Sequence, residues 1–254
     1  MSRTKRSAPG HSKKRKATDD GEQPVKRAKE AQKPSGKDAS LDTETSIDTA
    51  YSHMSPDILG DHLAAQTRKF SDDLSLLELE ERRIPVAAMR DTTDFEPQRT
   101  LEHMPAFMRQ YSAPADLSKA AKGKGSPHTI VVAGAGLRAA NVTRALREFQ
   151  TKDATVMKLF AKHIKLGEAK ESVSKTRMGI GVGTPKRISD LLDDGALSAV
   201  ALQRIVVDVS HIDQKKRGIL DLKDLQPALM DLLNRPDLKE RYGVEKGGIE
   251  LLFY

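Results

Sequence analysis

From position 128 to the end of the chain, short β-branched runs alternate with stretches of helical periodicity, and this alternation constrains the fold more than any other feature. Thr129-Ile130-Val131-Val132-Ala133 is a continuous β-branched run, as expected of a strand covered on both faces. Residues 137–149 then read as a helix. A second strand over 155–160 precedes helical residues 167–174, and a third, Met178-Gly179-Ile180-Gly181-Val182, precedes a helix over 185–192. A fourth over 202–208 precedes helical residues 221–233, and 249–254 adds a last strand. Strands separated by helices pair in parallel through right-handed crossovers, so the spacing predicts a doubly wound, mostly parallel α/β sheet over 128–254. Ligands of such sheets gather at the carboxyl ends of the strands. Those ends are 133–138, 183–187 and 208–213.

The first 127 residues follow other rules. Residues 1–40 hold twelve Lys or Arg and five Asp or Glu, a balance of +7 that equals the net charge of the whole chain. The basic character therefore says nothing about the folded part. With almost no large apolar residue to bury, 1–50 is expected to be a disordered basic tail. Within it, Lys13-Lys14-Arg15-Lys16 and Lys26-Arg27-Ala28-Lys29 resemble a bipartite nuclear-localisation signal, which implies a nuclear import receptor as partner. A solvated polycation touching RNA phosphates is compatible with that reading.

Residues 51–127 read as a helical arm and linker. Ser55 suits an N-cap with Pro56 in the first turn, and Ile58, Leu59, Leu63, Phe70, Leu74, Leu77 and Leu79 follow at helical spacings. Such an amphipathic arm is expected to dock back onto its own domain. A short helix is expected over 105–110, and the lysines and glycines of 119–127 predict a mobile basic loop.

Several functional classes are excluded outright. Without cysteine there is no disulfide framework, thiolate zinc site or cysteine nucleophile. No run approaches the roughly 18 apolar residues of a membrane helix. With no Trp, four Tyr and six Phe, stacking platforms for single-stranded bases are scarce.

Val182-Gly183-Thr184-Pro185-Lys186-Arg187-Ile188 resembles the motif Ib segment of DEAD-box RNA helicases, with lysine where that family usually has glycine. The strand ending Ile205-Val206-Val207-Asp208 stands where those enzymes place the Asp-Glu-Ala-Asp box, and 130–139 stands at motif Ia, with Arg138 matching its arginine. The departures carry as much information. Phosphate cradling needs Gly-Lys-Ser or Gly-Lys-Thr after a strand, and neither string occurs; Gly123-Lys124-Gly125-Ser126 lacks the hydroxyl beside its lysine. Asp208 is kept, but Val209, Ser210 and His211 follow it, so the carboxylate that orients attacking water is missing.

Together with the basic tail, the acidic arm and the segment Leu159-Phe160-Ala161-Lys162-His163-Ile164-Lys165, these elements closely resemble the CMS-one protein family, eukaryotic subunits of small-subunit (90S) pre-ribosomal complexes. The resemblance implies a single helicase-like half that has lost ATP chemistry. It also implies a non-catalytic nucleolar role in small-subunit biogenesis, with pre-ribosomal RNA and assembly factors as partners, no cofactor and no small-molecule substrate. Arg138, Gly183, Thr184, Lys186 and Arg187 are then the candidates for RNA-backbone contact, since strand-end amides and cations suit phosphate oxygens. Thr184 serves equally well as an N-cap. Two other readings remain. Gly134-Ala135-Gly136-Leu137-Arg138-Ala139 fits a dinucleotide-binding turn, although the next strand ends in cations instead of the acid that holds a ribose. A pure protein adaptor that never touches RNA is the other. His211 and Asp213 beside Asp208 make at best a poor metal or acid–base set.

Overall fold

A computed structural model describes residues 38–112, 117–160 and 165–254. The basic clusters around Lys13 and Lys26, and Lys162 and His163, lie outside the described residues.

The described residues begin with a small antiparallel pair, β1 (Leu41–Asp42) and β2 (Ile47–Asp48), closed by an Asp42 carboxylate that accepts from the amides of Glu44 and Thr45. Helices α1 (Pro56–Phe70), α2 (Leu76–Glu81) and α3 (Met104–Gln110) follow. Then come β3 (Thr129–Val132), α4 (Gly136–Ala145), β4 (Thr155–Lys158), α5 (Leu166–Lys175), β5 (Met178–Gly183) and α6 (Pro185–Asp193). The chain ends with β6 (Arg204–Val207), α7 (Gln226–Leu233), α8 (Pro236–Lys239) and β7 (Glu250–Phe253).

The five later strands form one sheet in the order β4-β5-β3-β6-β7, every neighbouring pair parallel. This is the doubly wound α/β sheet that the alternation predicts. Side chains alternate across it. Ile130, Val132, Ile205, Val207, Leu251 and Phe253 share a core with residues of α1, α5, α6 and α7. Val131, Ala133, Val206, Leu252 and Tyr254 share the opposite core with α3 and α4. Both faces of the central strands are covered, which is why β3, β5 and β6 are buried at every position and read as nearly continuous apolar runs.

The register sets up the functional edge. Val132 pairs with Gly183 on one side and Val207 on the other, and Val207 pairs with Phe253, so four strands end level with one another.

Three expectations need correction. The tail does not extend to residue 50: Ile47 and Tyr51 are buried, and 38–50 is ordered. One isoleucine and one tyrosine suffice because a ready-made surface receives them. Second, 119–127 is not a free loop. Gly125 N donates to Thr176 O at 2.9 Å, Ser198 N donates to Gly125 O at 2.7 Å, and Ser126 and His128 are buried. Composition registers the lysines of this segment, not the fact that its last residues feed directly into β3. Third, the arm is not one apolar stripe. Leu59 and Leu63 are buried, yet Ile58 on the same helix faces away from them, and Leu77 is exposed because Ser71-Asp72-Asp73 interrupts the helix and resets its phase.

The arm and linker belong to the same body as the sheet. Gln226 on α7 donates to Thr67 on α1, and Arg90 N donates to Leu251 O along the edge of β7. Arg99 is buried and donates to Phe253 O and Thr92 O at 2.5 and 2.9 Å. Burial without a carboxylate partner lowers its pKa to about 10. Phe95, Phe107, Tyr111 and Tyr254 close the same corner, with Phe107 and Tyr254 rings 4.7 Å apart.

Candidate functional site at the carboxyl edge of the sheet

The edge where β3, β5, β6 and β7 end is where a sheet of this class places its chemistry. Its centre here is an ion pair. Arg138, one turn into α4, reaches Asp208 just beyond β6, with Nε donating to one carboxylate oxygen at 2.7 Å and Nη2 to the other at 3.1 Å. The Asp208 side chain has 0% exposure and that of Arg138 has 9%. Two residues singled out for different reasons, one as an RNA contact and one as a remnant of an acidic box, are therefore a single bidentate unit. Arg138 does not face solvent as a phosphate contact requires, because the buried carboxylate takes its guanidinium.

The rest of the box is held by its own chain. Val209 N and Ser210 N both donate to Tyr254 O at 2.9 Å. Asp48 N donates to Ser210 O at 2.7 Å, Ile212 N donates to Ser46 O at 3.0 Å, and Ile47 pairs with His211. The segment 46–48 thus lies along the strand-end loop as an added strand. His211 is half-buried, and its pKa is lowered, first by burial and then by the positive charge of Arg138. Ser210 Oγ is buried without a hydrogen-bond partner.

The glycine turn is also filled from within. A Cβ on Gly134 would lie in ordinary contact, 3.4 Å from Ile219 Cβ and 3.5 Å from Leu225 Cδ1, so the space beside the turn is taken by the chain's own side chains. A dinucleotide turn would keep that space for a pyrophosphate.

Beyond β5, Thr184 stands at the N-cap of α6 in extended backbone, with Pro185 in the first turn, but its hydroxyl makes no capping bond. Lys186 is exposed and pairs with Asp190 at 2.9 Å, which raises its pKa. Arg187 is half-buried, and its Nη1 has no hydrogen-bond partner. Gly183 is buried, and its carbonyl accepts from Ala133 N. Of the five RNA-contact candidates, Thr184, Lys186 and Arg187 face outward to some degree, whereas Arg138 and Gly183 do not. Among the described residues no group of three or more His, Asp or Glu side chains is placed to hold a metal.

Sequence reasoning missed Ser46, Ile47, Asp48 and Tyr254 as parts of this edge. One signal was present: Ile47 is a lone large apolar residue in a polar stretch, followed by an aspartate whose carboxylate accepts from Ala50 N.

Chemically, the arrangement leaves little for a nucleotide to use. Both oxygens of Asp208 are engaged by Arg138, and the following position carries a valine with no exposure.

The family model described as "CMS1: U3-containing 90S pre-ribosomal complex subunit" matches residues 1–254. Protein CMS1 of Chaetomium thermophilum is 49% identical over 245 residues, covering 96% of this chain and 97% of that protein. Protein cms1 of Schizosaccharomyces pombe is 28% identical over 201 residues, covering 79% and 70%. Protein CMSS1 of Homo sapiens is 29% identical over 166 residues, covering 65% and 57%. Among solved structures, the yeast DEAD-box splicing factor Prp28 aligns with a TM-score of 0.42 and 16% identity over 68% of this chain and 39% of that one. With its whole length matched by the family model and nearly half its residues shared with a full-length relative, the chain belongs to the CMS1 family of 90S pre-ribosomal complex subunits, and so to the ribosome-biogenesis factors.

Proposed function

We propose that the protein is a non-catalytic component of small-subunit assembly in the nucleolus, in which a helicase-like α/β body serves as an RNA-associated docking element. The observation that carries this reading is the Arg138–Asp208 pair. The carboxylate at the end of β6, the position from which such a sheet would hold magnesium and phosphate, is fully buried and neutralised by an arginine of the same domain. The strand-end loop around it is overlaid by residues 46–48 and by the Tyr254 carbonyl. Loss of the phosphate-binding lysine motif from the sequence points the same way.

In this reading the basic tail brings the protein to the nucleus through an import receptor, using Lys13, Lys14, Arg15, Lys16, Lys26, Arg27 and Lys29. The folded body beyond it joins the arm 51–127 to the α/β core. RNA contact falls to Thr184, Lys186 and Arg187, whose cations and N-cap hydroxyl suit phosphate oxygens. Assembly factors contact the remaining surface. Ultraviolet crosslinking of the intact protein in native pre-ribosomes, with adducts mapped by mass spectrometry, tests the RNA role. Adducts at 183–187 are expected; adducts confined to the first 37 residues would leave the α/β body a protein adaptor.

A further inference from the structure

Helix α2 has six residues, a length at which an isolated helix does not hold itself, and it buries none of them. It is fixed from its two ends. At the start, Ser75 Oγ accepts from Glu78 N, while the Glu78 carboxylate accepts from Ser75 N at 2.8 Å, a complete capping box. Just past the end, Arg82 reaches Asp231 on α7 at 3.0 Å and Arg83 reaches Asp61 on α1 at 2.7 Å. Leu74 and Leu79 tuck partly beneath. Leu76 and Leu77 are left standing out, 74% and 70% exposed.

The charge within the segment that carries this leucine pair has one sign, and the cations beside it are engaged: Lys239 donates to the Glu81 carbonyl and to Asn234, and Arg83 also pairs with Glu80. Asp72, Asp73, Glu78, Glu80 and Glu81 lie within ten residues that contain no lysine or arginine. The two arginines that follow are already in ion pairs with other helices. An RNA surface repels such a segment, since each phosphate adds like charge. A short preformed helix with an apolar ridge between carboxylates is complementary to an apolar groove on another protein, with cations at its rim.

We infer that α2 docks, through Leu76 and Leu77, into an apolar groove rimmed by lysine or arginine on a protein subunit of the pre-ribosomal complex. Pre-ordering by the capping box and the two arginine anchors lowers the entropy lost on docking. The inference goes beyond the reading of the sheet edge and does not depend on it: RNA contact at 183–187 or nucleotide chemistry at Asp208 can fail or hold without moving α2.

The test uses the full chain carrying the photo-reactive residue p-benzoylphenylalanine in place of Leu77, irradiated in native particles. The expected adduct is to a protein, survives ribonuclease, and maps to an apolar segment flanked by Lys or Arg. Its yield should fall on the order of ten-fold with D72N/D73N/E80Q/E81Q in the same chain and with L76A, as expected when an apolar anchor or its charged rim is lost. Because α2 buries nothing, and the exposed Glu80–Arg83 pair contributes little while Arg83 keeps Asp61, these variants keep the thermal unfolding of the parent. An adduct to RNA, an adduct to a second copy of this chain, a protein adduct whose yield ignores the neutralised carboxylates, or no adduct would each overturn the inference.

Discussion

Replacing Arg138 with methionine tests the sheet edge through stability. The guanidinium supplies both hydrogen bonds to a carboxylate with no solvent exposure, so its removal leaves Asp208 buried with neither ion pair nor water. Breaking a buried pair from one side costs about 3–5 kcal/mol. For a body of this size each kcal/mol moves the unfolding midpoint by about 2–4 °C, so R138M should unfold about 6–20 °C below the parent. The double variant R138M/D208L replaces both charges with apolar groups. It should recover most of the loss and come within about 1 kcal/mol of the parent, because an apolar pair removes the desolvation cost as well as the attraction. Thermal unfolding followed by circular dichroism, with urea slopes checked for constancy, reads both values. A cost below about 1 kcal/mol for R138M, or no recovery in the double variant, would mean that water or another ligand reaches Asp208 and that the sealed pair is the wrong description.

Other perturbations follow from the same geometry. Ile47→Ala should cost about 2–4 kcal/mol and speed hydrogen exchange at the Asp48 amide, which is bonded to Ser210 O; an unchanged exchange rate would detach 46–48 from the strand-end loop. Gly125→Ala should destabilise by about 1–3 kcal/mol in thermal unfolding, since its φ is +64° and the new Cβ would sit 2.3 Å from Ala196 O; a neutral effect would free the 119–127 segment. His211 has a lowered pKa in the folded state, so the unfolded chain binds its proton first. The stability it contributes is complete above the ordinary histidine pKa and is lost as pH falls below it. Urea unfolding at pH 7.5 and 5.5 should show this loss, and H211N should reduce it.

The sheet was legible because its central strands are covered on both faces: Ile130-Val131-Val132 and Ile205-Val206-Val207 are β-branched runs buried at every position. The position of the candidate site followed from where those runs end. What occupies it was hidden. Arg138 and Asp208 are seventy residues apart, and motif reading assigned them opposite roles, one turned outward to RNA and one left as a relic. Only the parallel register of β3 and β6 brings them together. The covering by 46–48 was hidden for a different reason. Strands of two residues have no periodicity to detect, and Ile47 is paired by backbone bonds to a loop more than 160 residues away. Exposure of Leu77 was misread because spacing alone does not reveal that Ser71-Asp72-Asp73 resets the helical phase.

The claim that this body has lost nucleotide chemistry meets its most direct test in calorimetric titration of ATP with magnesium into the intact protein, alone and with a pre-ribosomal RNA fragment. The sealed Arg138–Asp208 pair predicts no saturable heat up to about 1 mM nucleotide under either condition. Saturable binding with a Kd of about 10 µM or tighter, or RNA-stimulated release of phosphate, would contradict it.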